Sequence, residues 1–211
     1  MSESPLFIPV TSEISLEGRR STGRLPYGAV ICHPHPLYGG SMHNNVVLSL
    51  QGAFEAAGWD TVRFNFRGVG RSGGAYGDGD GEVEDVRAVA RYLLHGERQM
   101  VRWCLAAYSF GTWVALKAVQ KGLLPDSMIL VSPPIDFLSF EGLALPAIPI
   151  LITLGERDAF CREHSLTSWL SRQKPHADGF QRLSLAGTDH FYQGREVSLR
   201  QAVLEFLQST E

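Results

Sequence analysis

Three residues in this chain have the types and the order along the sequence needed to activate a hydroxyl group. Ser109 stands in Ala107-Tyr108-Ser109-Phe110-Gly111, between an apolar run at 101–107 and a segment of helical period that continues to Lys121. A serine placed between a strand and a helix must occupy a very tight turn. Such a turn tolerates only small neighbours two residues away on each side, and Ala107 and Gly111 are small. It would hold the hydroxyl clear of the backbone and aim the Phe110 N–H, at the helix N-terminus, into the same space. The plainer reading is a serine N-cap, which is common before any helix.

A serine hydroxyl is a poor nucleophile without a base. Asp158 follows the next-but-one strand-like run, in Gly155-Glu156-Arg157-Asp158, and His190 lies in Gly187-Thr188-Asp189-His190-Phe191. Taken singly, a loop aspartate is usually a turn former and a loop histidine usually has no role. Together with Ser109 they form the nucleophile, orienting acid and base of acyl transfer, in the order Ser, Asp, His. Asp136, after the preceding run, is the alternative acid. The oxyanion formed on attack needs a second N–H donor besides Phe110. The segment His33-Pro34-His35-Pro36-Leu37-Tyr38-Gly39-Gly40 follows an apolar run and can supply it. Leu37, the first residue beyond both prolines, is the expected donor, with Tyr38 as second choice.

Two other chemistries compete for these segments. His33 and His35 could ligate a metal, since their spacing allows it, but no third ligand is evident except His43. Gly68-Val69-Gly70-Arg71-Ser72-Gly73 matches the dinucleotide pattern G-x-G-x-x-G after a strand. That pattern should open its helix at once. Here glycines continue to Gly81 before helical period begins, so no nucleotide cofactor is expected, and no metal.

The elements that would position these groups alternate. Strand-like runs are expected at 27–33, 61–66, 101–107, 128–131, 148–154 and about 180–185, with two short strands within 5–17. Helices are expected at about 43–57, from Asp80 (as cap) to Gly96, from 110 to 121, near 161–171 and at about 195–208. Alternation of this kind implies an α/β domain with a largely parallel sheet, spanning 1–211 as one unit. The 211 residues suffice for one such core, and the net charge of −3 gives no electrostatic reason to expect nucleic acid or an anionic membrane as partner. Cys32, Cys104 and Cys161 are too few, and odd in number, for a disulfide framework. Without a signal-like start or a membrane-length apolar run, the expected location is cytoplasmic.

With these residues assembled, the chain resembles the α/β-hydrolase superfamily, and within it a small group of compact bacterial serine hydrolases. The resemblance rests on CHPHPLYGGSMHNNVV (32–47), VRFNFRGVGRSGG (62–74), AYSFG (107–111), LGERD (154–158) and TDHFY (188–192). It implies a twisted sheet of about seven to eight strands with helices on both faces, and a Ser109–Asp158–His190 triad. It departs from the family at Ala107, where the nucleophile elbow G-x-S-x-G begins with glycine. A cap domain is not expected: only about 16 residues, 132–147, separate the strands that usually flank one. The site should therefore be open, with Tyr38, Tyr108, Ile135, Phe137, Leu145, Phe160 and Phe191 as candidate apolar lining, each equally readable as packing. The expected activity is hydrolysis of a small-molecule carboxylic ester or thioester by a monomer or homodimer. An acyl transferase or peptidase using the same triad, and a binding protein without turnover, are the alternatives.

Overall fold

The computed structural model describes residues 3–96, 98–174 and 179–210. Among these residues eight strands form one sheet in the order β1-β2-β4-β3-β5-β6-β7-β8. β1 (Glu3–Pro9) and β2 (Ser15–Ser21) are an antiparallel pair, and β2 meets β4 (Asp60–Phe64) antiparallel. From there β3 (Tyr27–Cys32), β5 (Arg102–Tyr108), β6 (Ser127–Val131), β7 (Ile150–Gly155) and β8 (Phe180–Leu185) run parallel to β4. Parallel strands joined by crossovers put all their C-terminal ends on one edge, where α/β sheets bind ligands. Ser109, Asp158 and His190 each follow such an end.

The central strands are buried on both faces, which is why they read as continuous apolar runs rather than alternating ones. Their side chains still divide with period two. In β5, Trp103, Leu105 and Ala107 face one core, and Cys104, Ala106 and Tyr108 the other. The first core is closed by α2 (Asp80–Leu94) and α3 (Phe110–Gln120), the second by α1 (Asn45–Ala57) and α5 (Glu196–Ser209). A short α4 (Glu163–Leu170) adds Leu166 and Trp169 to the first. Among the described residues no helix is long and apolar enough to cross a membrane.

One local expectation is corrected. Asp80 does not cap α2. Gly79, at φ 88°, takes the cap position, and the buried Glu82 carboxylate accepts the N–H groups of Gly77 and Gly79. Asp80 instead pairs with Lys117 at 3.0 Å across to α3. The match to a dinucleotide loop is also resolved. Residues 68–73 open no helix; they turn back on β2, where Glu17 accepts the Arg71 N–H and Ser72 Oγ accepts the Glu17 N–H.

Candidate active site

One residue separates β5 from α3, and it is Ser109. Its backbone sits at φ 53°, ψ −123°, a region that L side chains rarely adopt and that costs on the order of 1–3 kcal/mol. The turn is held by its surroundings. The Ser109 N–H donates to Val131 O at 2.9 Å, and Ser109 O accepts both the N–H and the hydroxyl of Thr112. Gly111 lets the first turn of α3 press on the end of β3: a Cβ there would lie 2.8 Å from His33 O and 2.9 Å from Cys32 O.

The Ser109 hydroxyl lies 2.9 Å from His190 Nε2, and His190 Nδ1 lies 2.9 Å from each carboxylate oxygen of Asp158. Asp158 can only accept when ionised, so Nδ1 carries the ring proton and Nε2 is free to accept from Ser109. Asp158 is buried, and the N–H groups of Phe160 and Cys161 both donate to Oδ1, one of the two oxygens facing His190. The loop bearing His190 can cross the end of β7 only because residue 155 is glycine: a Cβ there would meet Thr188 O at 2.4 Å. Asp136, the alternative acid, is engaged elsewhere. It accepts the Arg162 N–H and the Ser165 hydroxyl at the start of α4.

Two tyrosines hold the histidine loop from below. Tyr108 donates its hydroxyl to His190 O at 2.7 Å, fully inside the protein. Tyr192, at φ 57°, turns its ring into the second core and brings its hydroxyl to Ser132 Oγ (2.9 Å), just past β6, and Thr153 Oγ1 (3.3 Å), within β7. Burial pushes both phenols well above the ordinary range, so both keep their protons. The sequence reading singled out Tyr108 as lining and passed over Tyr192; a tyrosine two residues from a site histidine was the available signal.

The cleft above Ser109 has a volume of about 480 Å³. Tyr38, Tyr108, Phe110, Phe137, Phe160 and Phe191 line it together with Ser109 and His190. Ile135 and Leu145 do not: they pack against the first core and face a separate depression around Trp169. Leu37 is also absent from the cleft. Residues 36–38 form a single 3-10 turn that carries the Leu37 side chain outward, and the Leu37 N–H donates to His35 Nδ1 at 3.2 Å. Tyr38 N–H is likewise engaged, with His35 O. His35, missed as a site residue, does line the cleft, and its own N–H meets no protein acceptor among the described residues.

The histidines considered as ligands have separate surroundings. His33 is fully buried, its Nε2 accepting the Phe66 N–H at 3.0 Å and its Nδ1 2.6 Å from Pro34 O. Burial pushes its pKa down to about 3. Burial also lowers that of His35, whose ring packs on Phe110 and Tyr76. His43 Nδ1 faces Arg63. Among the described residues no three metal-capable side chains gather. The three cysteines are buried and unpaired.

Residues 30–182 match the Hydrolase_4 family model, described as serine aminopeptidase, S33. The chain belongs to this S33 hydrolase family. The matched span holds Ser109 and Asp158 and ends before His190. An α/β serine hydrolase homologue from Coxiella burnetii is 33% identical, with 98% of both chains covered and a TM-score of 0.88. XC6422 from Xanthomonas campestris, an α/β serine hydrolase without lid, is 30% identical over 99% of this chain and 95% of its own, also at 0.88. Protein RP471 of Rickettsia prowazekii is 30% identical over 91% of this chain and 84% of its own length. The S33 chain therefore has the α/β-hydrolase fold, and among the described residues no helix or strand stands between its β6 and β7, where a cap would be inserted.

Proposed function

We propose that this S33-family chain hydrolyses carboxylic esters or thioesters through an acyl-enzyme intermediate. Ser109 is the nucleophile, His190 the general base and Asp158 the residue that orients the imidazole. The observation that carries the reading is the unbroken path Ser109 Oγ to His190 Nε2, and His190 Nδ1 to Asp158, with 2.9 Å at each step. In the first step Ser109 Oγ bonds to the substrate carbonyl carbon while its proton passes to His190 Nε2. The imidazolium so formed faces Asp158. Collapse of the tetrahedral species breaks the bond to the alcohol or thiol, which leaves with the proton from His190. Water then enters by the same route and releases the acid.

The Phe110 N–H, at N1 of α3, has no intrahelical acceptor and is assigned as the first oxyanion donor. We assign the second to the His35 N–H in place of Leu37. What favours His35 is its place three residues past the end of β3, its position in the cleft beside Ser109 and Phe110, and an N–H that meets no protein acceptor among the described residues.

Ester hydrolysis is favoured over aminopeptidase action by the lining itself. An aminopeptidase must hold the free ammonium of its substrate, which calls for a carboxylate within reach. No Asp, Glu, Lys or Arg is among the residues that line the cleft. A neutral acyl group suits such walls; a charged one would lose its hydration without a partner.

The test combines a fluorophosphonate probe with a substrate panel. Wild type should take one adduct at Ser109, located by mass, and both Ser109→Ala and His190→Ala should abolish it. p-Nitrophenyl esters should be cleaved, and amino-acid p-nitroanilides should not. Folded wild type that takes no adduct, under conditions that label a control esterase, overturns the catalytic reading. Preferential cleavage of the anilides moves the peptidase to first place.

A further inference from the structure

The walls of the cleft are more specific than apolar. Starting at His190, ring contacts run without a break to Phe160 (centroids 4.7 Å apart), Phe137 (5.8 Å), Tyr38 (5.9 Å), His35 (4.8 Å) and Phe110 (4.6 Å). Phe110 is the residue after Ser109, so the belt begins at the general base and ends at the nucleophile. Successive rings are steeply inclined, by 50°, 85°, 72°, 63° and 48°. A planar group entering between two such rings meets one face-on and the next edge-on. Both are favoured aromatic geometries.

The outermost members are largely bare. Tyr38 is 74% exposed and Phe137 49%, although each is large and apolar. They touch one another at the mouth, where a cap is absent to cover them. The two sides of the belt also differ in what they can hold. A leaving group must lie beside His190 Nε2 to receive its proton. The carbonyl oxygen points to the N–H groups of Phe110 and His35. The remaining substituent, the acyl chain, is then carried over the 34–40 loop toward Tyr38 and Phe137.

We infer that Tyr38 and Phe137, backed by His35 and Phe160, form an acyl subsite for an uncharged aromatic ring, so that the substrates are esters of aryl-substituted acids. This rests on the ester hydrolase reading above and goes beyond it in naming the acid. Area burial alone gives a saturated ring of equal size at least the same advantage as a flat one. Preference for the flat ring is therefore the signature of ring-on-ring contact.

The experiment compares ethyl 3-phenylpropanoate with ethyl 3-cyclohexylpropanoate, in which the ring is insulated from the carbonyl and the leaving group is constant. Wild type should favour the phenyl ester in kcat/KM by about five- to tenfold, the scale of one or two aromatic pairs. In Tyr38→Leu and Phe137→Leu, which keep apolar bulk, that ratio should fall toward one. A wild-type ratio of one or less overturns the proposal, as does a ratio that both variants leave unchanged. Binding of the same two esters to Ser109→Ala, measured by ligand-observed NMR, separates this proposal from the hydrolase reading. Tighter binding of the phenyl ester supports the subsite even where wild type hydrolyses neither; equal or weaker binding overturns it whatever the turnover.

Discussion

Two strand-to-helix connections flank β3 in this molecule, and they solve the same problem by opposite means. The connection after β5 is the single residue Ser109. It is held by sterics: a positive φ, a glycine where a Cβ would strike backbone, and three hydrogen bonds to fixed groups. The connection after β4 runs from 65 to 79 and is rich in glycine. It is held by buried charge. Arg67 reaches Asp85 with its Nε and Nη2 and its own N–H, and Glu82 gathers two more N–H groups. A short connection can be fixed by what it cannot do, whereas a long one must be fixed by what it binds. The short one carries the hydroxyl that faces His190; the long one supports the cleft wall through Tyr76, which packs on His35.

The largest effect expected from breaking this contrast is chemical. Ser109→Ala should cut kcat on an ester by about 10⁴-fold or more while leaving the urea midpoint near that of wild type. A residual rate close to wild type would mean that the tight turn was built for something other than nucleophilic attack.

Next in size is the charge that holds the long connection. Asp85 is fully buried, and burial pushes its carboxyl up more than the Arg67 contacts pull it down. Asp85→Asn would leave the Arg67 guanidinium, mostly buried, without its counter-ion, at a cost of about 3–5 kcal/mol in urea unfolding. At temperatures where the variant stays folded, kcat should fall far less than in Ser109→Ala, because this loop supplies no reacting atom. Loss of kcat as large as that of Ser109→Ala would erase the distinction between the two connections.

The steric device has its own test. Gly111→Ala puts a Cβ against the carbonyls of Cys32 and His33, and backbone cannot yield as a flexible side chain can. About 1–3 kcal/mol of stability should be lost, with slower fluorophosphonate labelling of the folded protein. Unchanged unfolding and labelling would show that the turn is looser than its geometry.

The same contrast governs what could be read from the chain. That Ser109, Asp158 and His190 come together was legible because each follows a strand with small or polar residues around it, a local pattern that tertiary structure does not rearrange. The central strands of the sheet were legible for a similar reason, since strands buried on both faces stand out as apolar runs. What failed depends on the path of a loop. Leu37 was chosen as the first N–H beyond both prolines, yet His35, between them, also has an N–H, and the 3-10 turn at 36–38 sends Leu37 outward. Ile135 and Leu145 differ from Phe137 only in which side of residues 132–147 they occupy, and apolarity says nothing of that. Asp80 lost the cap because Glu82, two residues on, reaches back to the preceding N–H groups. Buried polar partners of this kind leave no period in the sequence.

His33 joins the two connections, and its titration offers the finest test of how they are coupled. Its carbonyl faces Gly111 at the head of α3, and its Nε2 accepts the Phe66 N–H at the root of the long loop. Burial, the larger cause, sets its folded pKa at about 3, against about 6.5 for an unfolded histidine. Below pH 6.5 the unfolded chain therefore takes up a proton that the folded protein refuses. The contribution of this residue to stability is fully present above pH 6.5. It declines as pH falls toward 3, by about 1.4 kcal/mol per pH unit. His33→Gln keeps an acceptor for the Phe66 N–H but cannot titrate. Urea unfolding at pH 7, 6 and 5 should show a variant that is less stable at pH 7, yet loses stability with acid more gently than wild type by that slope. Equal slopes would mean that His33 is protonated in the folded protein. The Phe66 N–H would then have no acceptor there, and the bolt between the elbow and the glycine-rich loop would lie elsewhere.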